Sequence, residues 1–439
     1  MTGFWRRRLA QTMRLGEVSR VVGAAGIEFA HPTRASREAF QLARFNTVWA
    51  DAVRNVPFYA RWQSQHRLPA TIGSLDELAS WPIVSKGELQ AHAELLRRPG
   101  RAPDRVGMTG GSTGEPLRFG QWREEVGQSN PAMWLGRAGY GVLPGDRTFL
   151  LWGHEHLYGK GLRRQLVAAQ RRGKDWLLNS RRFSAYDLSP ARMQQALEAI
   201  REWSPDVVIA YSAAMIALVR SASLEAKALS RKGPKCVVCT AGPLSKLEHE
   251  EIASFFGAPV AMEYGAAECG VMAYTIPSGG YRTSWRSHIL EAVETDETAP
   301  RNVVTCLDLR YLPLIRYDVG DCLELHEDGD ARPHGFRRVV GRPSEIVRLG
   351  DGTAFWGNLI GDCVKQVAKV SASQTVVRGA GLEIHVLAIA PLSDSERDLI
   401  AERCRSVVPG LRTRSLQVVE KSRLQQSPSG KIPLVVYES

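Results

Sequence analysis

The sequence predicts an α/β protein with a large amino-terminal domain and a small carboxy-terminal domain. Short apolar strands alternate with helix-forming stretches between residues 148 and 264, which is typical of a largely parallel sheet covered by helices. From about residue 303 to 340 the pattern changes to short strands and turns, as in a smaller β subdomain. Because 439 residues are too many for one simple core, we expect a domain of residues 1–340 and a smaller one of residues 341–439.

The first 50 residues are expected to be helical and basic, with apolar side chains flanking the arginine run at positions 6–8. Such a helix either makes a peripheral contact with a membrane surface or packs on the protein body, and packing is the commoner arrangement. A helix over residues 38–53 should end before a turn that starts at Pro57. Ser74 and Ser85 each precede acidic residues and predict two further helix starts.

The alternating region follows in order. The predicted strands are 148–153, 207–211, 236–240 and 260–264, and the predicted helices are 187–202, 212–229 and 245–256. The carboxy-terminal part carries its own strand and helix patterns at 375–377, 383–390, 395–407 and 415–419.

Composition limits the classes of function. The chain carries 57 Lys and Arg against 46 Asp and Glu, a net charge of +11, which favours anionic ligands or surfaces such as nucleotides, CoA, nucleic acid or acidic lipid. No stretch interleaves aromatic and basic residues as nucleic-acid-binding modules do, so we expect no nucleic-acid partner. No apolar run approaches the ~20 residues that cross a bilayer, and no secretion signal is evident. We expect no integral membrane segment and a cytoplasmic location.

The cysteines also favour a reducing compartment, because there are seven of them without a framework spacing. Cys236 and Cys239 form a C-x-x-C inside an apolar run. On a strand these two side chains face opposite sides, which predicts buried apolar residues rather than a redox or zinc pair.

A glycine-rich stretch, followed by Glu115 and Pro116, is the first candidate site. Its backbone N–H groups and hydroxyls suit a phosphate, although a flexible surface turn has the same composition. No lysine follows the last glycine, so the stretch is not a P-loop and does not predict a P-loop kinase or GTPase. The candidate residues are Thr109, Gly110, Gly111, Ser112, Thr113 and Gly114.

Four more stretches carry charged or aromatic residues next to glycines. They are EYGAAE at 263–268, RYDVGD at 316–321, GRPSE at 341–345 and SPSGK at 427–431. Each has an ordinary structural explanation. Glu268 could cap a helix, Asp321 could pair with Arg316 or Arg342, and Lys431 could be a solvated turn lysine.

Taken in order, these motifs resemble those of the ANL superfamily of adenylate-forming enzymes, and within it the phenylacetate-CoA ligase/CapK-like group. The glycine-rich stretch is similar to TSGSTGxP, and the next four to YGxTE, YRTGD, GRxDD and the carboxy-terminal GK. NVPFY at 55–59 and WPIVSK at 81–86 resemble two further stretches of the CapK-like members. The likeness runs from about residue 40 to the end of the chain.

The resemblance implies the ANL fold with a mobile α+β carboxy-terminal domain, and a two-step reaction. A carboxylic acid attacks the α-phosphate of ATP to give an acyl-adenylate and pyrophosphate, and CoA or an amine then takes the acyl group. CapK-like members are associated with capsule, exopolysaccharide or secondary-metabolite gene sets. Cofactors would be ATP and Mg²⁺, which a carboxylate such as that of Glu268 would bind.

The resemblance also implies a role for each candidate residue. The glycine-rich stretch would hold the β- and γ-phosphates, Asp321 the ribose hydroxyls, and Arg342 would lie near the ribose or phosphates. Lys431 would neutralise charge between the carboxylate and the α-phosphate, and Tyr264 could stack on adenine. Other nucleotide contacts would come from Ala241, Gly242, Pro243, Glu263 and Gly265, and acyl-substrate contacts from Trp152, His154, Tyr211 and Gly265.

Departures from the family pattern leave alternatives open. Leu117 stands where many members have lysine, and Ser344 stands at the usual hinge acid. His154 and His156 form an H-x-H, for which a solvated loop is a better explanation than a metal site. The zinc ligands of some relatives are missing, so we expect no zinc. A catalytically silent nucleotide- or partner-binding scaffold of the same fold is the alternative function, and a basic nucleic-acid-binding protein a third.

Overall fold

The computed structural model describes thirteen stretches of the chain. They are residues 5–13, 33–109, 116–125, 130–152, 161–185, 187–222, 233–295, 299–327, 329–367, 369–379, 381–388, 390–425 and 432–438. Of the candidate site residues, Gly110 to Gly114, His154 and Lys431 lie outside these stretches.

Helices dominate the amino-terminal part. A helix over residues 5–13 is followed, within the described chain, by α1 (Arg34–Asn55), α2 (Pro57–His66), a 3₁₀ helix (Leu75–Ser80), α3 (Lys86–Ala91) and a second 3₁₀ helix (Ala93–Leu96). Ser74 and Ser85 cap their helices through the side-chain oxygen, as predicted. The expected turn at Pro57 is wrong, because this proline is the first residue of α2, where its missing N–H leaves no lost hydrogen bond.

Twenty strands follow one another along the described chain. The strands are β1 (Arg105–Met108), β2 (Arg118–Gln121), β3 (Thr148–Leu151), β4 (Ser180–Phe183), β5 (Val207–Tyr211), β6 (Cys236–Thr240), β7 (Val260–Ala266), β8 (Gly270–Thr275), β9 (Tyr281–Thr283), β10 (His288–Val293), β11 (Arg301–Cys306), β12 (Tyr317–Glu324), β13 (Gly335–Phe336), β14 (Arg338–Gly341), β15 (Ile346–Arg348), β16 (Ala354–Trp356), β17 (Val370–Arg378), β18 (Gly381–Ala388), β19 (Leu416–Glu420) and β20 (Val435–Glu438).

The largest sheet has the order β13-β9-β8-β7-β6-β5-β3-β4. Its half from β4 to β7 is parallel and its half from β7 to β13 is antiparallel. The parallel half is the alternating region that the sequence predicted. The helices of this region are α4 (Asn130–Ala138), α5 (Gly161–Leu177), α6 (Pro190–Trp203), α7 (Ser212–Ser221) and α8 (Lys246–Phe256).

Strand β6 confirms the prediction for the C-x-x-C pair. Cys236 packs into one apolar cluster and Cys239 into another, on opposite faces of the sheet. All seven cysteines are buried and free. Burial raises the pKa of Cys236 to about 12, so its thiol stays protonated near neutral pH.

A second sheet, in the order β10-β11-β12-β14, is antiparallel. It shares a core with α1 and α2, in which Trp49, Tyr59 and Trp81 make edge-to-face contacts. This β region begins at His288, earlier than the sequence suggested, and it carries Asp321 on β12.

The carboxy-terminal part has a core of its own. The sheet β19-β18-β17-β20 packs with α9 (Gly357–Lys365) and α10 (Asp394–Val407) around an apolar cluster that runs from Val347 to Val435. Arg220 of α7 donates hydrogen bonds to the carbonyls of Lys365 and Val370, and so connects α7 to this part. No helix in the described stretches is both long enough and apolar enough to span a bilayer.

Candidate active site

A cleft of about 2620 Å³ brings most of the described candidate residues together. It lies where the parallel half of the large sheet, the β12–β14 region and the carboxy-terminal part meet. The candidate residues that line it are Thr109, Tyr211, Ala241, Gly242, Pro243, Glu263, Tyr264, Gly265, Glu268, Asp321 and Arg342.

Asp321 is held from two sides at the edge of this cleft. Its Oδ1 accepts a hydrogen bond from Arg342 Nε at 2.9 Å, and its Oδ2 accepts one from the Tyr264 hydroxyl at 2.8 Å. Asn302 Nδ2 donates to the same hydroxyl at 2.9 Å. The preceding residue, Gly320, has φ +84°, a backbone conformation that favours glycine. The site therefore presents a fixed carboxylate, beside a guanidinium, to the cleft.

Glu268 lies in the turn between β7 and β8. Its Oε1 accepts a hydrogen bond from the Tyr317 hydroxyl at 3.0 Å, and its backbone carbonyl accepts one from Arg310 Nη1 at 2.8 Å. The turn is tight, because a Cβ on Gly265 would meet the Gly270 oxygen at 2.3 Å. Burial raises the pKa of the Glu268 carboxyl, with the Tyr317 hydrogen bond acting in the opposite direction. Within the described residues, no Lys or Arg forms an ion pair with it.

Tyr264 is fixed by its ring as well as by its hydroxyl. The ring makes edge contacts with Tyr281 and Phe336, at centroid distances of 6.4 and 6.1 Å. Burial raises the pKa of the Tyr264 phenol well above its usual value, so the group stays a hydrogen-bond donor to Asp321. The side chain is half-buried and borders the cleft.

The glycine-rich stretch begins and ends at a short hairpin. Thr109 N donates to the Leu117 carbonyl at 3.0 Å, and Leu117 N donates to Thr109 Oγ1 at 2.9 Å. The antiparallel pair β1–β2 continues from this point. The two ends of the stretch are thus held together at the cleft, while residues 110–115 lie outside the described stretches.

The carboxyl ends of the parallel strands form another wall of the cleft. Ala241, directly after β6, has φ +63°, a conformation that is strained for a residue with a Cβ. Ser212 Oγ holds this turn by donating to the Gly242 carbonyl at 2.7 Å. Tyr211 packs against Trp152 with ring centroids 4.3 Å apart. Carboxyl ends of parallel strands are the usual ligand edge of such sheets.

Glu263 is part of a buried ion pair that the sequence analysis missed. Arg137 of α4 donates to both of its oxygens, at 2.7 and 3.1 Å. Both side chains are about nine-tenths buried. The sequence predicts that Glu263 contacts the nucleotide. In the structure this residue lines the cleft, but its carboxylate is paired with Arg137. Nothing in the sequence marks Arg137 as this partner.

The carboxy-terminal part contributes the stretch that follows Lys431. Ile432, Pro433, Leu434 and Val435 line the same cleft. Gln374 Nε2 donates to the Pro433 carbonyl at 2.9 Å, and Thr375 N donates to the Leu434 carbonyl at 2.8 Å, so this stretch is anchored on β17. On the other side of the cleft, Arg342 N donates to Glu345 Oε2 at 3.1 Å.

Tyr317 and Asn302 are further site residues that the sequence analysis did not select. Tyr317 lies inside the RYDVGD stretch, so the motif itself was a signal for it, whereas Asn302 on β11 carried none. The described residues contain no group of three or more His, Cys, Asp or Glu side chains that could hold a metal ion by themselves.

Comparison with protein-family models gives no match, and comparison with curated proteins gives none either. Solved structures do match. A 2-hydroxyisobutyryl-CoA ligase in its postadenylation state superposes with a TM-score of 0.70 at 18% identity, covering 93% of this chain and 90% of that one. The anthranilate CoA ligase AuaEII gives 0.55 at 12% identity, covering 75% and 65%. The amide bond synthetase McbA from Marinactinospora thermotolerans gives 0.52 at 15%, covering 74% and 67%.

One of these relatives was solved in more than one state. The 2-hydroxyisobutyryl-CoA ligase in its thioesterification state gives a TM-score of 0.56, against 0.70 for the postadenylation state, at nearly equal coverage. These likenesses show the fold: the chain has the α/β fold of the solved CoA ligases and of the amide bond synthetase.

Proposed function

We propose that the protein is an ATP-dependent ligase that activates a carboxylic acid as an acyl-adenylate in this cleft. The observation that carries the proposal is the meeting of Asp321, Arg342 and Glu268 with residues 432–435 around one cleft. These side chains come from stretches far apart in the chain, and each belongs to a motif that resembles an adenylation motif. The fold of the solved ligases supports the same reaction.

In this proposal Asp321 binds the ribose. A carboxylate accepts hydrogen bonds only, so its two oxygens suit two vicinal hydroxyls. Arg342 and Tyr264 fix the orientation of the carboxylate, which lowers the entropy lost on binding. The turn at Ala241–Pro243 and the face of Tyr264 would border the base, and the stretch from Thr109 to Gly114 would hold the β- and γ-phosphates.

The chemistry of Glu268 fits Mg²⁺. Its carboxylate offers oxygen, the ligand that this hard cation prefers, and its described polar partner is a neutral hydroxyl rather than a cation. Bound Mg²⁺ would neutralise charge on the phosphates. Tyr317 orients Glu268 by donating to Oε1, and this hydrogen bond favours the ionised carboxylate against the effect of burial.

We further propose that residues 341–439 act as a mobile domain that brings Lys431 to the reacting groups, with residues 1–340 as the large domain. The separate core from Val347 to Val435 supports this division. Lys431 would neutralise the two anions as the acid approaches the α-phosphate, an electrostatic effect that is often the largest in catalysis. Pyrophosphate leaves as the acyl-phosphate bond forms.

The acyl group then passes to CoA or to an amine. Both outcomes occur among proteins of this fold, since the neighbours include CoA ligases and an amide bond synthetase. The NVPFY and WPIVSK stretches support membership of the CapK-like group and a role in exopolysaccharide or secondary-metabolite synthesis. Seven free, buried cysteines support a cytoplasmic location.

The test is acid-dependent exchange of labelled pyrophosphate into ATP, with a panel of aryl, fatty and hydroxy acids. We expect exchange with one class of acid, lost in Lys431→Ala and retained in Lys421→Ala, a matched exposed lysine on the same part of the chain. The acid that supports exchange is then offered CoA and amines, and the thioester or amide is identified by mass spectrometry.

Two results would overturn the proposal. ATP binding without exchange for any acid would favour the silent scaffold, and absence of ATP binding would show that the motifs do not form a nucleotide site.

A further inference from the structure

The helix over residues 5–13 presents its apolar side chains to solvent instead of to the protein body. Trp5, Leu9 and Met13 are 68%, 43% and 42% exposed. They are spaced by four residues, and at 100° per residue they lie within roughly 80° of one another on one face. A surface helix ordinarily turns this face to the core.

The opposite face holds the helix on the body through arginines. Arg7 Nη2 forms an ion pair at 2.6 Å with Asp146, whose side chain is fully buried, and Lys235 contacts the second oxygen of Asp146 at 2.7 Å. Ala10 is fully buried, and a Cβ on Gly145 would come within 2.8 Å of the Arg7 carbonyl. These contacts fix the orientation of the helix about its own axis. The ion pair and the close packing therefore determine that its apolar face is exposed.

The exposed surface continues onto the end of α5. Arg6 Nε donates to the Trp176 carbonyl at 2.8 Å, and its guanidinium lies over the rings of Trp176 and Trp203 at 5.1 and 4.9 Å. Trp176 itself is 56% exposed. The outward patch therefore consists of Trp5, Leu9, Met13 and Trp176.

Basic side chains flank this outward patch. Arg8 is exposed three residues after Trp5, and Arg172 is exposed one helical turn before Trp176. The acidic residue next to Trp176, Asp175, is paired with Arg182 at 3.3 Å and is thereby neutralised. Arg8 and Arg172 thus add basic side chains beside the outward patch, in a chain whose net charge is +11.

We propose that the outward patch is a docking surface for an anionic phospholipid membrane. Tryptophan prefers the boundary between headgroups and acyl chains, leucine and methionine insert just below it, and the arginines attract anionic headgroups. Charge complementarity selects this partner over an apolar protein surface, which would gain nothing from the arginines. This docking is independent of the reaction proposed above.

The experiment is co-sedimentation of the full-length protein with vesicles of phosphatidylcholine alone and of phosphatidylcholine mixed with phosphatidylglycerol. We expect binding to the anionic vesicles, reduced by salt. Trp5→Ser/Leu9→Ser should weaken it at least about tenfold, and Arg8→Glu/Arg172→Glu by a similar factor on anionic vesicles only. Leu399→Ser/Val407→Ser, which removes two exposed apolar side chains elsewhere, should leave it unchanged.

Thermal midpoints of all variants should agree with the wild type, which separates loss of docking from loss of folding. The proposal is overturned if the wild type does not sediment with anionic vesicles, or if Trp5→Ser/Leu9→Ser binds them as well as the wild type does. A concentration-dependent dimer that the same variant abolishes, without vesicle binding, would assign the patch to a second copy of the chain and would also overturn it.

Discussion

Two arginine–carboxylate pairs in the β10–β14 region have similar chemistry and different surroundings. Arg316 pairs with Glu291 on both carboxylate oxygens, and its guanidinium also donates to the carbonyls of Ala79 and Trp81. Arg342 pairs with Asp321 through one oxygen at 2.9 Å. The side chains of the first pair are 4% and 8% exposed, and those of the second 32% and 14%.

The difference indicates which pair can act on a ligand. All the hydrogen bonds of the Arg316 pair are made within the core, so this pair joins the second sheet to the amino-terminal helices. The Asp321 pair lies open to the cleft. A carboxylate oxygen that accepts one hydrogen bond can accept another, so both oxygens, held in place by Arg342 and Tyr264, can also bind a ligand hydroxyl. Motif position alone does not separate the two, since Arg316 and Asp321 belong to the same RYDVGD stretch.

The largest expected effect is on stability. Arg316→Met should cost about 3–5 kcal/mol, because it leaves the buried Glu291 carboxylate without its cation. Adding Glu291→Leu should recover most of the loss, because no unpaired charge then remains. Chemical denaturation of both variants measures this. A stable Arg316→Met protein with weakened ATP binding would contradict the assignment of this pair to the core.

Glu268→Gln should lower acid-dependent exchange by about a hundredfold without destabilising the protein. The amide keeps an acceptor for the Tyr317 hydroxyl but loses the charge proposed to bind Mg²⁺. Since burial already disfavours the ionised form, the variant should be at least as stable as the wild type. Exchange kinetics and thermal unfolding measure the two effects, and a large fall in thermal midpoint would assign Glu268 a structural role.

Arg342→Lys should lower the exchange rate by about tenfold. Lysine keeps the positive charge. It lacks the planar guanidinium, which can donate to Asp321 with one nitrogen while its other nitrogens face the cleft. Arg337→Lys is the control, because Arg337 is an exposed arginine paired with Glu324 outside the cleft. Equal losses in the two variants would indicate a general charge effect.

The smallest effect is a shift in pH dependence. Burial raises the pKa of Glu268. As the pH falls, this carboxylate is therefore protonated sooner than that of an ordinary glutamate. The half-saturating Mg²⁺ concentration should therefore rise as pH falls through this raised pKa. The same group makes the folded protein bind protons more readily than the unfolded chain, so its contribution to stability decreases as pH rises through that interval. Mg²⁺ titrations of exchange across pH test the shift, and Glu268→Gln should abolish it.

Much of the fold was predictable because the parallel strands are short apolar runs with clear boundaries in the sequence. Strands β5 and β6 agree with the predicted residues, and α8 agrees to within one residue. Helix α5 was not predicted, because the arginine pairs at positions 163–164 and 171–172 interrupt its apolar residues. The antiparallel half of the sheet was missed because β9 and β13 have only three and two residues.

Glu268 and Asp321, which both line the cleft, could be selected from the sequence because each lies in a motif. The site was not predictable where the partner comes from another element. The pairing of Glu263 with Arg137 joins residues 126 positions apart, and only tertiary packing brings them together. The contact of Asn302 with Tyr264 has the same origin.

The most direct test of the nucleotide site compares the dissociation constant of ATP for wild type, Asp321→Asn and Arg316→Met/Glu291→Leu by calorimetry. We expect Asp321→Asn to weaken ATP binding by at least about tenfold, because the ribose hydroxyls lose a charged acceptor. The double variant in the core should bind ATP as the wild type does. Equal affinity of Asp321→Asn and wild type would contradict the assignment of this cleft as the nucleotide site.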